Sequence, residues 1–428
     1  MDAPDLDEAM SLPQSLYQGT LDCVHCGLCL TNCPTYRMTG RETSSPRGRV
    51  YMMRGVAEGA LELDQTIADE LQLCLGCRAC ETACPSGVQY GAMLEVARAA
   101  AAAAGLRGGF AQRIERFSLR HVVPKPRRLR ALMTLLGILQ RVGVGRFVVP
   151  WLPERLRSAW QLLPPVPRQI ERQPLPRFTP AQGERRGRVA LHEGCLMPEL
   201  FGAVNRATVR VLARNGFDVI VPEEQSCCGA LLAHAGDLDS ARVLAQNNVD
   251  AFGEDLSVDA VLSNSAGCGA ALRETDHWLP ETGESLSTRV RDVCEWLDDV
   301  GLREPTGTLA ARVAYDAPCH LVHGQRVDQA PRRLLESLPG LEFVSHAGAD
   351  HCCGAAGTYG LLQPEMSERV LDAKMRSLEA ASPEIVATGN PGCLLQLRLG
   401  AQVRGLAFQV VHPIELIDAA SDVGSVDR

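Results

Sequence analysis

Apolar residues follow two different periods along this chain. The stretch from Val50 to Gln72 carries them at helical spacing, and Ala92 to Ala104 is rich in alanine, the strongest helix former. From residue 188 onward, short apolar runs of strand length alternate with helical stretches such as Asn205 to Asn215 and Met366 to Ala381. This pattern predicts a helical N-terminal region, followed by α/β structure with a mainly parallel sheet.

Four of the predicted strands end shortly before a cysteine. The runs are Arg188 to His192, Asp259 to Ser263, Arg312 to Tyr315 and Pro383 to Thr388, and the cysteines that follow them are Cys195, Cys268, Cys319 and Cys393. Ligands of parallel α/β sheets gather beyond the carboxyl ends of the strands. We therefore expect the cysteines of this region to cluster there.

The second half of the chain is an internal repeat, because corresponding cysteines are 124 or 125 residues apart. The first unit contains Cys195, Cys227, Cys228 and Cys268, and the second contains Cys319, Cys352, Cys353 and Cys393. A ninth cysteine, Cys294, aligns with Ile414 in the repeat. We interpret Cys294 as a buried apolar side chain, since free cysteine behaves as a small hydrophobic residue.

The other eight cysteines form two copies of the pattern C-x2-C-x2-C-x3-C-P. The copies are Cys23, Cys26, Cys29 and Cys33, then Cys74, Cys77, Cys80 and Cys84. This is the ligand run of a two-cluster [4Fe–4S] ferredoxin, in which the fourth cysteine of each run binds the other cluster. The pattern predicts cluster one at Cys23, Cys26, Cys29 and Cys84, and cluster two at Cys33, Cys74, Cys77 and Cys80.

Zinc sites and a disulfide framework are the alternatives for so many cysteines. Zinc normally takes two C-x2-C pairs, which gives no reason for a fourth cysteine followed by proline. The N-terminus, MDAPDLDEAM, is acidic and has no apolar run, so we expect no signal peptide. Seventeen cysteines without an export signal then favour metal ligation in a reducing cytoplasm.

Composition and length agree with a multidomain soluble protein. The chain has 428 residues, 46% of them hydrophobic, and a net charge of −8, which predicts about two to four domains. The best candidate for a membrane span, Leu132 to Leu152, is interrupted by Arg141, Arg146 and Pro150. Charges and a proline inside such a stretch argue against a transmembrane helix.

Residues 106 to 187 differ from the rest of the chain in charge. They contain seventeen Lys and Arg but four Glu, and they end in a proline-rich linker from Pro164 to Pro180. One interpretation is a helical connector whose arginines bind an acidic partner or a neighbouring domain. The other is an amphipathic surface on anionic lipid. No nucleic-acid-binding module accompanies the charge, so we expect no nucleic-acid partner.

These observations divide the chain into four parts: 1–105, a helical ferredoxin domain; 106–187, the basic connector and linker; 188–305, the first repeat unit; and 306–428, the second. The doubled Cys-Cys-Gly units resemble the cysteine-rich CCG domain family. That family is found in heterodisulfide reductases, anaerobic glycerol-3-phosphate dehydrogenases and lactate-utilisation proteins. The resemblance implies the fold class α + α/β, a helical two-cluster ferredoxin domain followed by two repeated α/β CCG domains.

The whole arrangement is similar to the iron–sulfur subunits of bacterial glycolate oxidase, across nearly the whole chain. Local strings carry the resemblance: Cys33–Tyr36, Ser45–Arg49, Cys84–Gly87, Glu193–Cys195, Ser265–Gly269 and His351–Tyr359. It implies flavin-containing partner subunits that oxidise glycolate to glyoxylate, and a quinone or other acceptor for the electrons. FAD is then expected only in the partners.

One feature departs from the metal-binding CCG pattern of the heterodisulfide reductase type, which ends each unit in C-x2-C. Ser265 and Asn390 occupy the first of those two positions. The four remaining thiolates of each unit could hold a further cluster, or the site is a degenerate relic or a thiol pocket near a quinone. His320, His323 and His351 lie beside cysteines of the second unit. We interpret them as hydrogen-bond partners of the site rather than ligands.

The sequence shows no GxGxxG fingerprint after a strand and no recognisable flavin or nicotinamide site. Because a flavin ordinarily takes the hydride of a 2-hydroxy acid, the chain should be an electron-transfer subunit without a catalytic residue of its own. The alternative substrates are D-lactate, another 2-hydroxy acid and glycerol 3-phosphate. Alternatives of another class are a redox-sensing or scaffold protein with structural clusters, and thiol–disulfide reduction at the CCG cysteines. We expect a cytoplasmic location, with peripheral contact at the inner membrane as an alternative.

Overall fold

The computed structural model describes residues 12–143, 151 and 164–421. Its N-terminal part is helical, as the periodicity predicted. The helices are Gln14–Leu21, Pro34–Thr39, Pro46–Ala57, Gln65–Leu73, Ala79–Thr82 and Tyr90–Ala103, with a 3-10 turn at Glu42–Ser44.

The predicted helical stretch from Val50 to Gln72 is two helices rather than one. The first ends at Ala57, and Gly59 follows in a left-handed conformation with φ of 70°. Asp64 then begins the second helix, because its side chain accepts a hydrogen bond of 2.9 Å from the backbone N–H of Ile67. Apolar residues continue at helical spacing on both sides of this break, so the periodicity alone did not reveal it.

The basic connector contains the helices Phe110–His121 and Pro126–Val142, a 3-10 turn at Gln169–Arg172 and a two-residue strand, β1, Phe178–Thr179. Arg146 and Pro150, which interrupt the apolar stretch Leu132 to Leu152, lie outside the described residues. Among the helices that the structure describes, none is both long and apolar enough to cross a membrane.

Several connector arginines bind carboxylates of the first repeat unit. Arg120 pairs with Asp237, while Arg130 and Arg172 reach the two oxygens of buried Glu199 at 2.9 and 2.7 Å. These contacts support the interpretation in which the charge of the connector serves a neighbouring domain.

The first repeat unit is built on a sheet of five strands. Its own strands are β2 (Gly187–His192), β3 (Phe217–Ile220), β4 (Ala260–Ser263) and β5 (Val290–Asp292), in the order β1-β3-β2-β4-β5. All pairs are parallel except β1 with β3, where Phe178 lies opposite Ile220. The helices are Met197–Leu200, Gly202–Arg214, Ala230–His234, Leu238–Ala251, Ala266–Arg273, Thr275–Trp278, Glu284–Ser287 and Val293–Val300, with a 3-10 turn at Glu254–Leu256.

The second unit repeats this plan with four parallel strands. They are β6 (Ala311–Tyr315), β7 (Leu341–Phe343), β8 (Ile385–Ala387) and β9 (Gln409–Val411), in the order β7-β6-β8-β9. A π-helical turn at His320–Gly324 follows β6. The helices are Gln329–Glu336, Tyr359–Leu362, Pro364–Ala381, Pro391–Arg404 and Pro413–Ala420.

The two units share one apolar core and exchange equivalent contacts. Helix Gly202–Arg214 of the first unit packs on Pro413–Ala420 of the second, and Val293–Val300 packs on Gln329–Glu336. The first helix of at least eight residues in each unit packs on the last helix of the other unit, which is the arrangement of a pseudo-two-fold interface. Cys294 and Ile414 are 3% and 0% exposed in this shared core, so the interpretation of Cys294 as an apolar core residue is confirmed.

Candidate metal centres

The two ferredoxin loops have the same backbone shape. His25 and Gly27 in the first loop have φ of 55° and 85°, and the equivalent residues of the second, Gly76 and Arg78, have φ of 64° and 63°. A non-glycine residue is uncommon in the left-handed region, yet one occurs in each loop. Two turns of this kind between successive cysteines wrap the loop around a common centre, as a cluster with several thiolate ligands requires.

Cys33, the fourth cysteine of the first run, lies near cysteines of both runs. Burial raises the pKa of Cys77 and of Cys80 well above the ordinary value, and nearby Cys33 contributes to both shifts. In the first run, burial raises the pKa of Cys29, with contributions from Cys23 and Cys33. Cys84 is half-buried against an apolar cluster that contains Cys74 and Cys80 and also contacts Cys23 and Cys29. The cysteines of the two runs thus lie close together, and their crossed ligation stays a prediction.

Two buried arginines flank the predicted second cluster. Arg49 is fully buried, and its Nε donates 2.7 Å to the carbonyl of Glu70. Arg98 donates to the carbonyls of Leu71 and Cys74 at 2.9 and 2.6 Å. Burial opposes ionisation of Cys74, but the charges of Arg49 and Arg98, together with hydrogen bonds from Gly76 and Tyr90, lower the pKa of this thiol. A buried cation favours thiolate, the form that binds iron.

The electrostatic role of these arginines was not predicted from the sequence. Arg49 closes the string Ser45–Arg49 at the start of helix Pro46–Ala57, and that string was the one available signal for it. Its connection to a ligand runs through Thr35. Arg49 Nη1 donates 3.2 Å to Thr35 Oγ1, which in turn lies 3.2 Å from Cys33 Sγ.

The four thiols of the first repeat unit contact one another beyond the carboxyl ends of β2, β3 and β4. Cys227 Sγ lies 3.4 Å from Cys195 Sγ. Hydrogen bonds from Cys195 and Cys228 lower the pKa of Cys227 well below its ordinary value. Hydrogen bonds to Cys227 and Cys268 raise the pKa of Cys228 well above its ordinary value. The structure therefore joins all four cysteines in one group.

The second unit repeats the group with the same connectivity. Cys353 Sγ lies 3.1 Å from Cys393 Sγ. Hydrogen bonds from Cys352 and Cys393 lower the pKa of Cys353 well below its ordinary value, and a hydrogen bond from Cys352 lowers that of Cys319. The structure thus places the cysteines of both units where the strand pattern predicted them.

The two residues that replace cysteine have different surroundings. Asn390 Nδ2 lies 3.6 Å from Cys393 Sγ, and its Oδ1 accepts 3.1 Å from the backbone N–H of Gly267 in the other unit. Ser265 is buried, and its N–H donates to Ser263 Oγ at 3.2 Å. Asn390 therefore links the two units at their cysteine loops.

Of the three histidines, His320 contacts a thiol of the site, whereas His323 and His351 bind groups other than the cysteines. His320 Nδ1 lies 3.6 Å from Cys319 Sγ. His323 contacts Thr82 Oγ1 at 2.7 Å and the carbonyl of Asp350 at 3.3 Å. His351 Nδ1 contacts Arg37 Nη1 at 2.9 Å.

Polar groups behind the thiols differ between the units, which the sequence reasoning missed. In the second unit, Lys374 Nζ pairs with buried Asp316 at 2.5 Å and donates 2.6 Å to the carbonyl of Gly348. The charge of Lys374 contributes to the lowered pKa of Cys353, after the hydrogen bonds from Cys352 and Cys393. In the first unit, neutral Asn248 lies behind the thiols and donates 3.1 Å to the carbonyl of Cys227.

The second ferredoxin loop packs directly on the thiols of the second unit. One buried apolar cluster joins Leu75, Cys77 and Ala79 of the loop to Cys319 and Cys352. Tyr359, which belongs to the same cluster, donates 2.7 Å to the carbonyl of Leu73. The predicted second cluster and the second CCG unit are thus neighbours.

The ferredoxin loops have the shape and the charged surroundings that [4Fe–4S] clusters need. Within residues 12–143 and 164–421, no three or more His, Cys, Asp or Glu side chains are arranged to hold one metal ion. The ferredoxin cysteines instead line two equivalent loops, as a cluster of four irons needs. Fixed cations beside Cys33 and Cys74 match the negative charge of a thiolate-bound cluster.

Comparison with known proteins identifies two kinds of domain in the chain. A family model described as a 4Fe-4S dicluster domain matches residues 19–88, and one described as a cysteine-rich domain, CCG, matches residues 189–273 and 313–398. The chain is 40% identical over 414 residues to the probable glycolate oxidase iron-sulfur subunit of Bacillus subtilis, covering 93% of each chain. It belongs to the family of glycolate oxidase iron–sulfur subunits.

Further members and relatives extend the comparison. The glycolate oxidase iron-sulfur subunit of Escherichia coli is 35% identical over 408 residues, again covering 93% of each chain. Lactate utilization protein A of Geobacillus kaustophilus is 32% identical over 240 residues, which are 54% of this chain and 99% of that protein. The fold class, two ferredoxin motifs followed by two CCG domains, is confirmed. The exact domain boundaries stay predictions.

Proposed function

We propose that this chain carries electrons from flavin-containing partner subunits, which oxidise glycolate to glyoxylate, to a quinone-type acceptor. Its membership of the glycolate oxidase iron–sulfur subunit family is the observation that supports this most strongly, because the similarity covers both chains almost completely. When bound, [4Fe–4S] clusters accept and release single electrons. We assign cluster one to Cys23, Cys26, Cys29 and Cys84, and cluster two to Cys33, Cys74, Cys77 and Cys80.

The chain's own residues hold the centres and set their surroundings. Arg49 and Arg98 supply fixed positive charge beside Cys74, and the packing of Leu75 and Ala79 on the second unit excludes water from that loop. Oxidation of glycolate to glyoxylate releases two electrons and two protons, and reduction of a quinone to a quinol takes up both. The chain handles the electrons only. We assign the removal of hydrogen from the substrate to the flavin subunits and no catalytic residue to this chain.

The substrate is tested on the anaerobically purified complex of this chain with its flavin subunits. We expect glycolate to reduce a quinone analogue faster than D-lactate or glycerol 3-phosphate at equal concentration. Faster reduction of the quinone analogue with D-lactate or glycerol 3-phosphate would identify that compound, rather than glycolate, as the substrate. Reduction of the chain by dithionite but by none of the three would favour a redox-sensing or scaffold role.

Cys319 and Cys352 of the second CCG unit pack against the second ferredoxin loop, and we propose that the CCG thiols form the exit of the chain towards the acceptor. Whether they hold iron is measured by iron and sulfide per chain. About eight irons would mean two clusters and metal-free CCG units, and about twelve to sixteen would mean clusters in one or both units. Labelling of Cys227 or Cys353 by a thiol reagent in the anaerobic protein would instead indicate thiol–disulfide chemistry.

Exposed apolar side chains on the connector support peripheral membrane contact, where a lipid-soluble quinone would be met. Phe110, Ile114 and Phe117 are exposed on one helix, and Leu132, Leu135, Ile138 and Val142 on the next. We expect vesicles of phosphatidylglycerol to sediment the wild-type protein, and the variant Phe110→Ser/Phe117→Ser to bind more weakly. Equal binding of both proteins would contradict contact through this surface.

A further inference from the structure

The two ferredoxin loops have the same shape but opposite exposure. Positions that are 51 residues apart correspond: Val24 with Leu75 and Leu28 with Ala79. In the second loop Leu75 and Ala79 are 5% and 8% exposed, whereas in the first loop Val24 and Leu28 are 68% and 58% exposed. Cys26 is exposed as well, while its counterpart Cys77 is buried.

The second loop is covered by another part of the same chain. Leu75, Cys77 and Ala79 are buried against Cys319 and Cys352, two of the thiols of the second CCG unit. Apolar residues on either side of Cys77, a predicted ligand, thus pack against the thiols of the second CCG unit. The same three positions of the first loop, Val24, Cys26 and Leu28, are open to solvent.

A rigid frame holds the exposed loop in place. Tyr51, on helix Pro46–Ala57, packs edge-on against His25 with ring centroids 5.9 Å apart, and 63% of it is exposed. Arg47 from the same helix donates 3.1 Å to the carbonyl of His25 and binds Glu42 through its Nε at 2.7 Å. An apolar surface that is fixed before binding loses little conformational freedom on contact with a partner.

We propose that the exposed loop face, consisting of Val24, Cys26, Leu28 and Tyr51, docks the flavin-containing subunit that delivers electrons to this chain. The proposal rests on the proposed function and names the partner surface within it. The occupant follows from the internal comparison: the equivalent face of the second loop is covered by the next redox group inside the chain. The first loop then faces the preceding redox group, which lies in another subunit. Docking there places the partner beside Cys26, the most exposed ligand of the predicted first cluster.

The test measures binding of purified flavin subunits to the full-length, cluster-loaded chain by anaerobic biolayer interferometry. The variant Val24→Glu/Leu28→Glu places two charges in the face. We expect its dissociation constant to rise at least about tenfold, because charges inside the desolvated centre of an interface are strongly unfavourable. The control is Val243→Glu/Leu361→Glu, since these residues are 62% and 58% exposed on the CCG units. We expect its dissociation constant to stay within about twofold of the wild type.

Iron content and the EPR spectrum after dithionite reduction are recorded for each variant. If Val24→Glu/Leu28→Glu loses iron, binding is measured with Tyr51→Glu instead, because Tyr51 lies outside the ligand loop. This variant should raise the dissociation constant likewise. Unchanged binding by an iron-replete variant of the face would overturn the proposal and leave the proposed function intact. A wild-type chain that fails to bind flavin subunits would overturn both. If sedimentation shows that the wild-type chain is a homodimer and the variant a monomer, the face joins two copies of this chain and the proposal is wrong.

Discussion

Replacement of Arg49 should lower the reduction potential of one cluster and leave the other nearly unchanged. Arg49 is fully buried, and its charge contributes to the lowered pKa of Cys74. The substitution Arg49→Met keeps the length of the side chain and removes the charge. Because a cluster becomes more negative when it is reduced, loss of a nearby positive charge disfavours the reduced form.

The size of the effect follows from two contacts. Thr35 Oγ1 lies 3.2 Å from both Arg49 Nη1 and Cys33 Sγ, so this nitrogen is at most about 6.4 Å from the sulfur. With an effective dielectric constant of about 20, a unit charge at this distance is worth about 2.6 kcal/mol. That energy corresponds to about 110 mV for a one-electron couple. Since the added electron is shared with atoms beyond the sulfur, we expect a decrease of about 50 to 110 mV.

The assay is an EPR-monitored redox titration of the anaerobic protein. Arg54→Met is the matched control, because Arg54 lies on the same helix and donates to the carbonyl of Thr20, away from the second run of cysteines. Arg49→Lys keeps the charge and should shift the potential less than Arg49→Met. A potential unchanged within about 10 mV in an iron-replete Arg49→Met protein, or an equal shift of both clusters, would refute the reasoning.

Three further predictions concern stability and the ninth cysteine. Burial raises the pKa of Asp292 from 3.8 to about 7, so the folded protein loses stability as pH rises between these values. Asp292→Asn should therefore raise Tm more at pH 8 than at pH 5. Equal gains at the two pH values would contradict the raised pKa of Asp292. Cys294→Ala should cost about 1 kcal/mol in unfolding free energy and leave iron and sulfide per chain unchanged, whereas lost iron would make Cys294 a ligand. Gly354→Ala should be more destabilising in thermal unfolding than Gly59→Ala. Both glycines have positive φ, but only at Gly354 would the new methyl group lie 2.7 Å from a backbone oxygen, that of Ser367; equal losses of Tm would show that this contact relaxes.

Local patterns predicted most of the architecture. The 124- or 125-residue offset of the cysteines predicted two equivalent α/β units, and the apolar runs before Cys195 and Cys319 predicted β2 and β6. Both signals are local, because consecutive residues determine a strand or a run of ligands. The same locality explains why the ferredoxin loops could be assigned from spacing alone.

Features that depend on distant residues could not be predicted in this way. Strand β1 has two residues inside a proline-rich segment, and it exists because β3 offers a free edge to Phe178. The burial of Arg49 depends on Thr35 and Glu70, which precede and follow it by many residues. Asn390 departs from the cysteine pattern, and its bond to Gly267 becomes visible only when the two units are packed together.

The most direct test of the central claim is freeze-quench EPR of the anaerobically purified complex after mixing with glycolate. If the chain relays electrons from the flavin subunits, the signals of two reduced [4Fe–4S] clusters should appear within a single turnover of the complex. Signals that glycolate fails to produce in a catalytically active complex, and that appear only with dithionite, would contradict the account.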